Sequence, residues 1–162
     1  MHTTTIGLLA GAAGTTALDA VSYLDMALRG RPASSTPQQS VQRLSELAGV
    51  DLGEGEEADN RRSGWGALLG YATGVGVGLL YATAVRRRTP WAIDAAALTV
   101  AAMVGSTAPM TLLGITDPRR WSATDWLSDL LPHLAYGTVA AAALRLPGAG
   151  CDGRAHAARG RG

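Results

Sequence analysis

The chain has 162 residues, enough for one domain. Hydrophobic residues make up 47% and charged residues 17%, against roughly 25% charged in a soluble domain. A formal net charge of +1 gives no case for a nucleic-acid partner, and a single cysteine, Cys151, excludes an internal disulfide or a cysteine-based zinc site.

The charges are concentrated in residues 29–62, 86–88, 117–129 and 145–162. Between them run stretches of Ala, Gly, Leu, Val and Thr. A bilayer core about 30 Å thick needs about 20 helical residues. Four segments meet that length, at 5–28, 64–85, 90–115 and 125–146. The expected fold class is all-α: a four-helix transmembrane bundle over residues 1–146, followed by a disordered tail at 147–162.

The first span, 5–28, has no Lys or Arg before it, and its apolar run continues without a break to Arg29. It therefore reads as an uncleaved helix rather than a signal peptide. Gly7 and Gly11, then Thr15, lie four apart on one face. Asp19 and Ser22 share a face near the middle of the span, and Asp25 sits shallower.

The loop 29–63 carries Thr36-Pro37-Gln38-Gln39, which reads as a capping box with proline at the first helical position. A short amphipathic helix at 37–48 follows, with Val41, Leu44, Leu47 and Ala48 on one face and Gly49 as its stop. That stripe is expected on the bilayer surface or over the mouth of the bundle. The acidic segment after it, DLGEGEEADN, reads as mobile. The loop is a solvated linker or a partner-docking or gating loop.

The second span, 64–85, has no charge on any face. A helix apolar all round is buried or in lipid. Gly66, Gly70, Gly74 and Gly78, then Ala82, recur every four residues, the spacing of a glycine zipper. In lipid such faces associate by close backbone approach, either within one chain or across a dimer.

The third span, 90–115, opens with Pro90 in a first-turn position. Asp94 follows near that end, and Ser106, Thr107 and Thr111 lie in the other half. The fourth span, 125–146, carries Asp125, Asp129, His133 and Gly137 as an i, i+4 row, with Tyr136 beside it. Pro109 and Pro132 each remove one helical hydrogen bond. Trp65, Trp91, Trp121 and Trp126 fall at the starts of spans two, three and four, where indole prefers the headgroups.

An even number of spans puts both termini on one side. The fourteen arginines then divide evenly between the two sides. The dense triplet Arg86–Arg88 points to cytoplasmic termini, and Arg29 and Arg31 point the other way. The reading favours cytoplasmic termini in a bacterial plasma membrane.

At 1.5 Å per residue, Asp19 and His133 each lie about 12–13 Å from the same side. Asp19, Ser22, Asp25, Asp129, His133 and Tyr136 form the candidate intramembrane cluster. A histidine one turn from a carboxylate is drawn toward the imidazolium by charge and toward the neutral ring by burial. Such a group can carry protons near neutral pH. The structural alternatives are a simple Asp19–His133 bond, headgroup-level Asp25 and Asp129, a first-turn Asp94, and an Asp125 capped by Ser122 or Thr124.

No ligand motif supports a metal among Asp19, Asp129 and His133, and a second histidine for haem is absent from the spans. No cofactor is expected. No nucleophile–base–orienter set marks an enzyme.

At GAAGTTALDAVSYLDMALRGRPASSTPQ and LPHLAYGTVAAAALR the chain resembles a group of uncharacterised actinobacterial four-helix integral membrane proteins. The resemblance covers span one with its loop, and span four. It marks Asp19, Tyr23, Asp25, Arg29, Arg31, Pro32 and His133-Leu134-Ala135-Tyr136-Gly137, and it transfers no activity.

Two functions compete. One is transport or sensing of protons or a small solute through the Asp/His cluster. The other is a non-catalytic scaffold or partner subunit, assembled as a homo-oligomer or with another membrane protein through Gly7, Gly11, Gly66, Gly70, Gly74 and Gly78. In both, the lipid bilayer is the first partner.

Overall fold

The apolar runs fold as helices because in hydrocarbon only a helix satisfies its own backbone amides. The computed structural model describes residues 2–85 and 89–146. It contains α1 (Thr3–Arg29), α2 (Thr36–Ala48), α3 (Gly55–Ala84), α4 (Trp91–Leu112) and α5 (Ala123–Ala143), with a 3-10 turn at Pro118–Arg120. No strand occurs among the described residues. The Arg86–Arg88 triplet and the tail expected at 147–162 lie outside them.

Three helices, α1, α3 and α4, are long and apolar enough to cross a membrane. The fourth expected span, α5, has 21 residues, a length of about 31 Å. It is not among those three, and Asp125, Asp129 and His133 lie in its first half.

The helices α1, α3, α4 and α5 pack in a ring, each against two of the others, and α2 lies on α3. At the centre of the ring, Leu98 and Tyr136 are wholly buried. Leu9, Leu24, Leu68, Leu80, Val100 and Leu127, among many others, point outward. That is the pattern expected of a protein whose outer surface meets lipid.

The tightest helix contact joins α1 to α3. A Cβ built on Gly11 would lie 2.7 Å from the Cα of Val75, and one on Gly78 would lie 2.5 Å from the Cα of Gly11. A Cβ on Gly7 would meet Ala82 Cβ at 2.9 Å. Gly74 closes against Thr15 and the Tyr136 ring. The row then diverges: Gly66 faces Pro37 of α2, and Gly70 has open space beside it. The α4–α5 contact relies on Gly137, which leaves no room for a Cβ beside Thr99 and the Ala95 carbonyl.

Several boundaries differ from the sequence reading. The expected mobile segment is largely helical, because α3 begins at Gly55, with Glu56 and Glu57 in its first turn. Negative charge there complements the helix dipole, and Ala58 is buried. The nine residues ahead of Gly64 therefore extend α3 beyond the span. Arg61 also ties this extension back to the loop, donating to the Leu52 carbonyl at 2.8 Å.

The cap of α2 is Ser35 rather than Thr36, and it makes no side-chain bond to the helix backbone. Gln39 Nε2 donates instead to Ser35 Oγ at 3.0 Å, so the expected capping box does not form. Gly49 does stop α2, in the left-handed region at φ 66°. The helix runs antiparallel to the α3 extension, with Pro37 on Gly66 and Arg62 donating to Gln42 at 2.8 Å. Val41 is buried, while Leu44 and Leu47 are 42% and 64% exposed. The expected single stripe is thus split between packing and exposure.

Pro90 is the N-cap of α4 and lies just outside the helix. Ser122 caps α5 in a full capping box with Asp125, so Asp125 serves the helix end. Trp121 stacks edge-on with Trp126 at 5.0 Å and donates from its indole to Thr116 at 2.8 Å.

Gly11→Leu is expected to lower stability by roughly 1–3 kcal/mol or more, the usual cost of overpacking. Gly70→Leu, in open space, is expected to leave it unchanged. Thermal unfolding of the detergent-solubilised variants measures both.

Candidate functional site

The helix ring brings together part of the candidate cluster and separates the rest. His133 is 7% exposed. Its Nδ1 lies 2.7 Å from the Asp129 carbonyl oxygen and 3.6 Å from Asp129 Oδ1. Both neighbours only accept, so Nδ1 carries a proton and donates. On the other edge of the ring, Nε2 lies 3.3 Å from Ser106 Oγ on α4. That hydroxyl also reaches the Met103 carbonyl, at 3.0 Å.

This arrangement accepts two protonation states. With a neutral ring, the Ser106 hydroxyl donates to Nε2. With an imidazolium, Nε2 donates to Ser106 Oγ, and the hydroxyl turns to the Met103 carbonyl. Neither state strands a ring nitrogen without a partner. Asp129 Oδ2, by contrast, is buried with no partner.

Asp19 and Ser22 are half-buried on α1. Among the described residues no hydrogen bond or ion pair joins either of them to His133. Asp25 is held elsewhere, by Arg31 Nε at 2.5 Å and Arg29 Nη1 at 3.3 Å. Arg29 also donates to Ser128 Oγ at 3.0 Å, which ties the end of α1 to the start of α5. Tyr136 lies deeper. Its hydroxyl donates to the Gly74 carbonyl at 2.6 Å, and its ring would block a Cβ on Gly14. It braces the ring of helices from inside.

A second polar group lies at the opposite end of the ring, on the side of the termini. Asp94 is 6% exposed. Arg145 Nη2 pairs with its Oδ2 at 2.6 Å, and Tyr81 donates to its Oδ1 at 2.7 Å. Thr89 donates to the same oxygen. Arg145 also donates to the Thr89 carbonyl at 2.6 Å and to the Ala141 carbonyl at 3.1 Å. Sequence reasoning placed Asp94 as a first-turn charge, which it is, and missed its partners. The signal was available: in a four-span chain, the end of span two, the start of span three and the end of span four share one side.

Two open grooves lie at the other rim. One, of about 640 Å³, runs between α2 and the turn after α4, lined by Gln39, Gln42, Arg43, Arg62 and Gly114. Within it, hydrogen bonds from Gln42 and then Arg43 hold Glu46 below the usual carboxylate range. Among the described residues no group of three His, Cys, Asp or Glu side chains is placed to hold a metal ion.

Compared with protein-family models, curated proteins and solved structures, the chain matches none.

Tyr136→Phe removes one interhelical hydrogen bond and keeps the ring. Such bonds are worth about 0.6 kcal/mol, and up to about 2, in membranes. A loss of that size in an unfolding titration is the expected result, and a larger one would show that the hydroxyl supports more than Gly74.

Proposed function

We propose that this chain is a four-span integral membrane protein of the bacterial plasma membrane, and that it takes part in proton or small-solute transport through His133. In this reading α5 is the fourth span. Its polar half is carried by the ring of helices, as ionisable groups in membranes generally face protein or water. The observation that carries the proposal is the pairing of His133 Nε2 with a hydroxyl that can donate or accept, while Nδ1 stays fixed on Asp129. A buried group that changes charge without stranding a nitrogen is suited to passing protons.

Reconstituted vesicles with an internal pH-sensitive dye test this. The wild-type chain is expected to give a pH-dependent flux. His133→Ala is expected to abolish it and Asp129→Asn to reduce it, in protein that remains folded. Asp19→Asn tests whether the α1 carboxylate belongs to the same path. Equal flux in the wild-type and His133→Ala vesicles would remove the proposal.

One observation favours the second reading, a scaffold or partner subunit. Gly70 on α3 has open space beside it, so another helix can approach α3 closely at that point. Under this reading, Gly70→Leu is expected to lose a co-purifying membrane partner or second copy while the fold survives.

Orientation has a built-in reporter in Cys151, the only cysteine. With cytoplasmic termini, a membrane-impermeant maleimide labels it only after cells are permeabilised. Labelling in intact cells would reverse the assignment.

A further inference from the structure

We propose that the Asp94–Arg145 pair is a latch that closes the helix ring to water on the side of the termini, leaving the His133 group to communicate with the opposite side. The inference rests on the transport reading for its purpose, but not for its geometry.

Four chain segments meet at the pair: the end of α3 through Tyr81, the turn before α4 through Thr89, the first turn of α4 through Asp94 and the end of α5 through Arg145. Asp94 is almost wholly buried, whereas the Arg145 side chain is 36% exposed. The carboxylate is therefore the inner half of the lock, and the guanidinium is the lid over it. Arginine suits this place because its planar fork reaches Asp94 Oδ2, the Thr89 carbonyl and the Ala141 carbonyl together.

Beneath the pair the ring is closely packed, with Leu98 and Ala140 wholly buried. Thr99, one turn and a residue further along α4, is 3% exposed and spends its hydroxyl on the Ala95 carbonyl. Toward the other rim the Asp129 side chain is less covered than Thr99, at 24% exposed. The two ends therefore differ in kind, one held by an ion pair between α4 and the turn after α5, to which Tyr81 of α3 is bonded, and the other carrying a partly exposed carboxylate. A buried charge whose partner leaves is strongly destabilised, so release of Arg145 forces Asp94 to find water, and water then enters at that end.

The test is thiol accessibility in lipid nanodiscs. Cys151→Ser removes the native thiol, and Thr99→Cys places a probe beneath the latch. With the pair intact, a membrane-impermeant maleimide is expected to leave the probe unlabelled. With Arg145→Gln, the labelling rate should rise about tenfold or more, since a tenfold factor is only about 1.4 kcal/mol of opening. Arg145→Lys, which keeps the charge, should largely preserve protection. If Arg145→Gln does not fold, the doubly neutral Asp94→Asn, Arg145→Gln chain removes the latch without an orphan charge and should label at the same raised rate. Unchanged protection in a folded latch-free variant would overturn the proposal, as would rapid labelling with the pair intact. Because the readout is labelling, it stands whether or not His133→Ala alters flux.

Discussion

Close backbone approach between α1 and α3 is the constraint on which the rest of the structure depends. In lipid the hydrophobic effect does not press helices together, so packing must come from contact itself. Gly7 and Gly11 on one side, and Gly74 and Gly78 on the other, let the two backbones touch. That contact fixes where α3 stands relative to α1 and brings Gly74 within reach of the Tyr136 hydroxyl. Tyr136 in turn fixes the rotation of α5, one turn beyond His133. The position of the histidine between Asp129 and Ser106 thus follows from glycines on two other helices.

Polar groups inside this ring are divided by end. At one end a carboxylate and a guanidinium neutralise each other under the bundle's termini. At the other, Arg29 and Arg31 hold Asp25 at the rim, and Asp129 keeps one oxygen without a partner. An unpaired buried acceptor is costly, about 1–3 kcal/mol. Among the described residues, buried Thr15, Thr99 and Tyr136 spend their hydroxyls on backbone carbonyls, and Asp94 is held by the Arg145, Tyr81 and Thr89 side chains. Asp129 is the exception, and it lies one turn from the histidine that can change charge.

How much of this was legible in the sequence depends on the kind of signal. The apolar stretches marked α1, α3 and α4 because lipid imposes a length that composition reveals. The i, i+4 row on α5 placed Asp129 and His133 together, since a helix turn guarantees it. Helix-to-helix partners were less visible. Asp19 and His133 share a depth, but depth leaves rotation free, and no bond joins them. Ser106 was legible only as belonging to the right half of the membrane. Gly137 was legible only as part of the i, i+4 row on α5, and Gly14 was not singled out; the tight contacts of both arise from which neighbour they meet. The acidic segment before α3 reads as a loop by composition. It folds because its carboxylates sit at a helix start and Ala58 is buried.

Disulfide cross-linking of Gly7→Cys with Ala82→Cys, in a Cys151→Ser background, tests the α1–α3 contact most directly. The two Cβ positions are close enough for the bond to form with a small backbone adjustment. The account predicts rapid oxidation to a cross-linked monomer, and none for the control pair Gly7→Cys with Gly70→Cys. A disulfide-linked dimer, or no cross-link in folded protein, would contradict it.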